Sequence, residues 1–217
     1  MASEGKLIFK TFIPETLNTL QKIKPSDFKW FAKAIDDFKK HQEGTHILKC
    51  PGVNTIIKTG WLQKNYQDIE IRTNGDGKTF ECLMTYDQIN HKYGKLMSNY
   101  ISDHPPEMFD KFRPMNNNTL KTFIKFQTPW IAYIPKNYKL LQIPVSYSDE
   151  NIFTAATGFL KGACHLNVPV YWHQLEGRHV IKKGTPICQY LLIKDNDVET
   201  EIACANDDDY NLFLKND

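Results

Sequence analysis

The sequence lacks long hydrophobic runs and has little excess of charge of one sign. Its 217 residues include 27 Lys and Arg against 25 Asp and Glu, which gives a formal net charge of +2. No apolar stretch approaches the roughly 20 residues that a transmembrane helix needs. The small net charge provides no global electrostatic signal for nucleic acid or for an anionic membrane. We therefore expect a soluble globular protein with no membrane partner.

Cysteine motifs and a hydrophobic leader are also missing. The five cysteines are widely spaced and include no Cys-x-x-Cys pair, so a zinc knuckle is not expected. The first five residues, Met1–Gly5, are polar and do not form a secretory signal. We expect five free thiols in a reducing compartment, and a protein that is not secreted.

The sequence contains few of the patterns that mark catalytic or metal sites. It has no Gly-x-Ser-x-Gly motif of a serine hydrolase. His165, His173 and His179 could lie on neighbouring strands, as in a non-haem iron oxygenase of the double-stranded β-barrel type. None of the three is followed two positions later by the acidic residue that completes such a ligand set. The iron oxygenase is kept as an alternative, and we expect no cofactor.

The first 118 residues combine strand and helix signals. Residues 7–13 alternate as a β-strand does. Ser26 predicts the N-cap of an amphipathic helix over residues 27–42. The apolar face of that helix contains Phe28, Phe31, Ile35 and Phe38. Asn74-Gly75-Asp76-Gly77 predicts a hairpin turn between two strands.

The chain after Asn116-Asn117-Asn118 consists of short apolar segments separated by Pro and Gly. Regularly spaced short strands favour a β-sandwich or barrel. We therefore expect a mainly β fold with an N-terminal α+β region over residues 1–118 and a C-terminal β module over 119–217. The two regions could also form one compact domain. Strands are predicted over residues 120–126, 130–134, 138–143, 152–159, 164–172 and 186–193.

Short motifs occur in seven segments, which are Cys50-Pro51-Gly52, Thr128-Pro129-Trp130, residues 134–141, Pro144, Gly158, residues 166–170 and residues 183–189. These motifs resemble a family of uncharacterised phage and bacterial proteins. Pro135 with Tyr138, and Gly184 with Gln189, form a Pro-x-x-Tyr strand and a Gly-to-Gln strand. Their order resembles the β-clip fold of dUTPases and dCTP deaminases, in which two such strands border a nucleotide pocket. The resemblance implies a β-clip-like barrel or sandwich in a phage protein of the host cytoplasm or virion.

Two departures from the dUTPase pattern argue against its chemistry. The segment Pro144–Glu150 contains serines but lacks the expected arginine. Lys161 stands at or near the position of the acid that activates water in that family. A protonated lysine cannot accept a proton from the attacking water. The resemblance therefore implies a non-catalytic protein that acts by binding or assembly, with a nucleotide-binding hydrolase or deaminase as the alternative.

The same resemblance implies a ligand pocket around two turns. Backbone amides near Gly158 and Gly184 could help to hold a small anionic ligand. No catalytic residue is assigned. The residues expected to line the pocket are Tyr138, Ser146, Lys161, Arg178 and Gln189.

Self-association is the remaining expectation. β-Clip proteins are often trimers, and aromatic residues are enriched in the centres of protein interfaces. Tyr171-Trp172 and residues 210–214, with Phe213 at their centre, are the expected subunit contacts, and Asn206 could cap a short helix that carries the second segment. Trp130 and Trp172 are interpreted as core or interface anchors rather than stacking platforms for bases. We expect a homo-oligomer, with a trimer favoured.

Overall fold

A computed structural model describes residues 5–40, 46–83, 100–108, 118–196 and 204 of the chain. The fold is mainly β, with few helices, as the sequence predicts. Two α-helices, α1 (Lys29–Lys40) and α2 (Pro51–Ile56), accompany the strands. The strands are β1 (Ile8–Thr11), β2 (Leu20–Lys22), β3 (Trp61–Lys64), β4 (Ile69–Asn74), β5 (Phe80–Leu83), β6 (Ile101–His104), β7 (Phe123–Tyr133), β8 (Tyr138–Ile143), β9 (Phe153–Ala155), β10 (Gly158–Leu160), β11 (Ala163–Trp172), β12 (Glu176–Ile181) and β13 (Pro186–Lys194).

The strands form three antiparallel sheets. The first sheet has the order β1-β7-β11-β9, and β6 pairs with the other end of β7. The second has the order β10-β8-β13-β3-β2, and the third has the order β12-β4-β5. Every sheet contains strands from both sides of residue 118, so the two regions expected from the sequence are interleaved within the sheets. None of these sheets closes into a barrel through the described strands.

One hydrophobic core joins the three sheets. Strand β11 alternates as a half-buried strand should, with every second residue from Leu166 to Trp172 buried. Trp130 and Trp172 are 4 % and 0 % exposed and belong to this core, and the Trp130 indole donates to the Thr19 hydroxyl at 3.0 Å. The third sheet contributes Ile71 to the same cluster. The packing of sheets against each other is that of a β-sandwich.

Strand β7 corrects one prediction from the sequence. Residues 120–126 and 130–134 were expected to be separate strands, because proline usually ends a strand. In the structure a single strand, β7, continues through Pro129. Beside it, the pairing of β7 with β11 is irregular between His165 and Asn167. The Thr128 hydroxyl bonds the Leu166 carbonyl at 2.6 Å there. Because the ladder is already interrupted at this point, the missing N–H of Pro129 costs little.

The strand predicted over residues 152–159 is also wrong, because that segment forms two strands in different sheets. Strand β9 pairs with β11 in the first sheet, whereas β10 pairs with β8 in the second. The Ala156 amide between them donates to the Pro169 carbonyl at 2.8 Å. The break falls at residues 155–158, where Ala and Gly, both depleted in strands, interrupt the β-favouring residues on either side.

Helix α1 is shorter than predicted within the described residues. A 3-10 turn over Pro25–Asp27 precedes it, and Ser26 lies inside that turn rather than at an N-cap. The Asp27 carboxylate caps that 3-10 turn by accepting from the Lys24 amide at 2.8 Å. No residue of α1 is fully buried, although Phe31 packs on a small hydrophobic cluster. None of the described helices has the length and apolar character needed to cross a membrane.

That small cluster lies on the side of the second sheet away from the main core. It contains Leu62 of β3 and Ile57, which follows α2, together with Phe28 before α1. The turn from α2 into β3 runs against β13, and Gly60 has a φ of +87° there. A Cβ on residue 60 would fall far inside van der Waals contact with the Tyr190 carbonyl oxygen. Glycine is therefore required for this close approach of two backbone segments.

We expect Gly60→Ala to lower the free energy of unfolding by about 3 kcal/mol or more, from left-handed strain and overpacking together. The measurement is urea denaturation followed by circular dichroism. Gly162→Ala is the matched control, because Gly162 has a φ of +66° but no atom within 4 Å of its added Cβ. The control should lose only about 1 kcal/mol. Equal losses in the two variants would contradict the close approach.

Candidate functional site

Gln189, which was expected to face a ligand, is buried in the interior of the protein. It lies on β13 between β8 and β3 and is 0 % exposed. Its side-chain amide donates to the carbonyls of Ile56 at 3.0 Å and Thr59 at 2.9 Å. Its side-chain oxygen accepts from the Ser146 amide at 3.2 Å. The side chain ties the end of α2 and the loop after β8 to the second sheet, and these bonds occupy both of its polar atoms.

The loop after β8 contains an unusual backbone conformation. Tyr147 has a φ of 56°, the one non-glycine residue with a positive φ among those described. The Trp30 indole donates to the Tyr147 carbonyl at 2.8 Å, and the two rings meet edge to face with centroids 6.1 Å apart. Tyr147 is 49 % exposed. Backbone strain of this kind persists only where surrounding contacts hold it, and here Trp30 and Gln189 hold the loop from two sides.

Tyr138 and Lys161 lie at the opposite end of β8 from Ser146. Tyr138 pairs with Lys194, whereas Gln189 pairs with Ile143. Five residues of strand separate these positions, which is roughly 17 Å. The Lys161 ammonium bonds the Asp195 carboxylate at 2.6 Å, and Lys139 bonds the same group. Lys139 and then Lys161 hold the pKa of Asp195 below its ordinary value of 3.8.

Arg178 lies in the third sheet, on β12. Its guanidinium forms an ion pair with Glu70 of the neighbouring strand β4. The five residues expected to line a pocket are therefore distributed over the two ends of β8 and a separate sheet. Of these residues, Ser146 and Gln189 are in direct contact.

The turn at Gly184 does not present the free amides that the resemblance to dUTPases implies. The Lys183 amide donates to the Asp68 carboxylate at 2.8 Å. The Gly184 amide donates to the Asn65 carbonyl at 2.7 Å, and the Thr185 amide to the Lys182 carbonyl at 3.1 Å. The Lys183 amide and the Lys182 side chain hold the pKa of Asp68 below its ordinary value. An anion at this turn would have to be bound by side chains.

The three histidines proposed as metal ligands each have a different hydrogen-bond partner. The His165 ring bonds the Thr128 carbonyl, and the His173 ring bonds the Thr154 hydroxyl at 2.7 Å. The His179 ring contacts a backbone carbonyl at 3.1 Å. Within the described ranges, no group of three or more His, Cys, Asp or Glu side chains could hold a metal ion. The structure thus does not bring these histidines together as a ligand set.

All five cysteines are free, as the sequence predicts. Cys188 is completely buried in the core, and burial raises the pKa of its thiol to about 12. It therefore behaves as a small hydrophobic residue and not as a nucleophile.

The structure contains a charged cleft of about 520 Å³ between three surface segments. These are the 26–29 segment before and into α1, the 145–150 loop and the 182–186 turn, with Lys64 of β3 as a further contributor. A smaller cavity of about 240 Å³ adjoins the 145–150 loop and shares Val145, Ser148, Glu150 and Pro186 with the cleft. The cleft is lined by Ser26, Asp27, Phe28, Lys29, Lys64, Val145, Ser148, Asp149, Glu150, Lys182, Lys183, Gly184, Thr185 and Pro186.

Some of the charges in the cleft are already paired. The Lys64 ammonium bonds the Asp27 carboxylate at 2.8 Å, and both side chains are largely buried. Lys182 bonds Asp68 at 2.9 Å. Lys29 and Lys183 are exposed and have no ion-pair partner among the described residues. The cleft thus has two available ammonium groups on two of its walls.

The third wall of the cleft is acidic. Asp149 is exposed on the 145–150 loop, and it too has no ion-pair partner within the described part of the chain. The neighbouring Glu150 carboxylate accepts from the Ile152 amide at 2.8 Å through one oxygen, and its second oxygen accepts no hydrogen bond from the described residues. The cleft is therefore suited to a ligand with groups of both charge signs.

No family of known proteins, no curated protein and no solved structure matches this chain. The cleft has to be interpreted from its own residues. Sequence reasoning missed Lys29 and Lys64, because the segments that carry them are far in the chain from the rest of the cleft. It did single out the turn at Lys183-Gly184 and the Pro144–Glu150 segment, and both of these form walls of the cleft.

We expect Gln189→Ala to lower the free energy of unfolding by about 3–4 kcal/mol. The substitution removes three hydrogen bonds, each contributing about 1 kcal/mol, and leaves a cavity. Gln174→Ala is the control, because Gln174 is half-buried and its side chain forms no hydrogen bond among the described contacts. Urea denaturation measures both, and the control should change by less than about 0.5 kcal/mol. A Gln189→Ala protein as stable as the control would mean that these bonds do not hold the loop.

Proposed function

We propose that this protein is a non-catalytic binding protein of the phage type that its sequence resembles, and that its ligand occupies the charged cleft. The ligand is small, carries an anionic group, and also carries a cationic or hydrogen-bond-donating group. The observation that carries the proposal is the distribution of unpaired charges. Lys29 and Lys183 stand on two walls, and Asp149 stands on the third.

The size and composition of the cleft support this assignment. Its volume of about 520 Å³ lies within the range of about 300–1,000 Å³ that is common for small-molecule sites. Phe28, Val145 and Pro186 give it apolar contact surface beside the charged groups. An anionic group that bonds Lys29 and Lys183 would replace solvent at two ammonium groups at once. A donor group on the same ligand would reach Asp149 or the free oxygen of Glu150.

A binding role is favoured over nucleotide chemistry by how the expected pocket residues are used. The Gln189 side chain is hydrogen-bonded to backbone groups, and Lys161 forms an ion pair with Asp195. The backbone amides of Gly184 and Thr185 also donate hydrogen bonds within the protein. The nucleotide hydrolase or deaminase remains the alternative, and we place the binding protein in the host cytoplasm or in the virion.

The proposal is tested with two probes that differ in one group. O-Phosphoethanolamine carries a phosphate and an ammonium, whereas ethyl phosphate carries the phosphate alone. We expect O-phosphoethanolamine to bind about fivefold more tightly, because its ammonium adds one partly exposed ion pair to the acidic wall. Isothermal titration calorimetry at low ionic strength measures both affinities. Equal binding of the two probes, or no binding of either at millimolar concentration, would contradict the proposal.

The lysine contribution is tested by Lys183→Gln, which removes the charge and keeps the length of the side chain. We expect the affinity for O-phosphoethanolamine to fall about fivefold, the loss of one partly exposed charge pair. Lys58→Gln is the control, because Lys58 is exposed and lies outside the cleft.

A separate assay for turnover of deoxynucleoside triphosphates with Mg²⁺ addresses the enzyme alternative. Turnover that is lost in Lys161→Ala would favour the hydrolase instead.

A further inference from the structure

The outer face of the second sheet carries an apolar strip where polar side chains are usually found. Cross-strand pairing places Phe159 of β10, Leu141 of β8 and Leu191 of β13 side by side on one face. Ile143 and Ile193 lie on the same face, two residues along their strands. We call these five residues the β8–β10–β13 strip. The opposite face of the same strands packs into the main core through Leu140, Leu160 and Leu192.

The two halves of this outer face are covered differently. Next to β3 and β2, α2 and the start of α1 cover the sheet through the small hydrophobic cluster that contains Leu62. Next to β10, the strip faces solvent, with Phe159 60 % exposed and Ile193 37 % exposed. One face of an antiparallel sheet is commonly solvated, but such a face is then usually polar. A contiguous exposed apolar patch rimmed by charges is a mark of a protein contact surface.

We propose that the β8–β10–β13 strip is a contact surface for a second copy of this chain. The charges around the strip favour a copy over an unrelated partner. Lys139, Lys161 and Asp195 carry both signs within one ion-paired group at the edge of the strip. When two identical strips meet, each rim can place its lysines against the carboxylate of the other. The formal net charge of +2 gives little repulsion between copies.

The Lys139 side chain also shows that the strip is one connected surface. Its ammonium lies over the Phe159 ring, 5.7 Å from the ring centre, although the two residues belong to different strands. Strand β10 is the edge of the second sheet in the described structure, so backbone groups beside Phe159 are available for contact as well. The strip and the edge together form the contact surface.

The exposed area sets the expected strength of association. A fully covered aromatic side chain buries about 150–250 Å², so Phe159 at 60 % exposure leaves on the order of 100 Å² open. The five partly covered side chains of the strip together leave an exposed area of a few hundred Å² on each chain. A stable interface buries roughly 800 Å² on each partner, which is more than the strip offers. We therefore expect a weak complex that forms at tens of micromolar protein and dissociates on dilution.

This inference corrects the location of the contact expected from the sequence. Trp172 is 0 % exposed in the core, so it is not available to another chain. Tyr171 is half-buried, and its ring meets Phe123 with centroids 4.7 Å apart. Residues 210–214, with Phe213, lie outside the described residues. Self-association remains a proposal, and its surface is now the β8–β10–β13 strip.

The test is the molar mass of the full chain by light scattering and sedimentation between about 10 and 500 μM. We expect the mass to rise with concentration from the 25.2 kDa of one chain towards the mass of two copies. Phe159→Glu should keep the mass of one chain throughout. Leu17→Glu is the matched control, because Leu17 is also 60 % exposed and lies beside the opposite edge of the sheet.

The outcomes separate this inference from the proposed function. A wild-type protein with the mass of one chain at 500 μM would overturn the inference. An oligomer that is unchanged in Phe159→Glu would overturn it too. Phe159 lies outside the cleft, so Phe159→Glu should bind O-phosphoethanolamine as the wild type does. Circular dichroism of both variants verifies that they are folded.

Discussion

The buried amide of Gln189 is the interaction on which the arrangement of the cleft depends. It lies in the middle of the second sheet and bonds backbone groups from two segments that are far apart in the chain. The Gln189 side chain is fully buried, and a buried polar group left without a partner costs about 1–3 kcal/mol. Satisfying Ile56, Thr59 and Ser146 together therefore fixes both α2 and the 145–150 loop against the sheet. The strained backbone of Tyr147 is held in place by the same arrangement.

The two sides of the second sheet have different physical roles. Its inner side contributes to a core shared with the other two sheets, and that core contains the fully buried Trp172 and Tyr190. Its outer side is divided between a half covered by the helices and a half left open. Phe28 and Val145 belong to both the covered cluster and the cleft, whereas Phe159 marks the open half. The proposed ligand site and the proposed contact surface thus lie on separate parts of one face.

Features with a local cause were predicted well from the sequence. The Asn74–Gly77 turn joins β4 and β5 as expected, with positive φ at both glycines. The strand predicted over residues 164–172 forms β11, Ala163–Trp172. The predictions that were wrong concern Pro129, the strand over residues 152–159, and Ser26. For the first two, a partner elsewhere in the chain decides the outcome: an irregularity in the pairing of β11, and two different neighbouring strands. At Ser26 the cause is local, because a 3-10 turn capped by the Asp27 carboxylate contains this residue.

The sequence by itself determined a mainly β fold with short strands and five free thiols, because side-chain periodicity, turn residues and cysteine spacing act over a few residues. It also drew attention to the segments at Pro144 and Gly184. Only the tertiary structure decided what those segments do. The cleft combines residues 26–29, 64, 145–150 and 182–186, and the expected ligand residues Gln189 and Lys161 are bonded to other parts of the protein. A polar side chain is available to a ligand only if no nearer partner satisfies it, and in this protein the nearest partners come from distant parts of the chain.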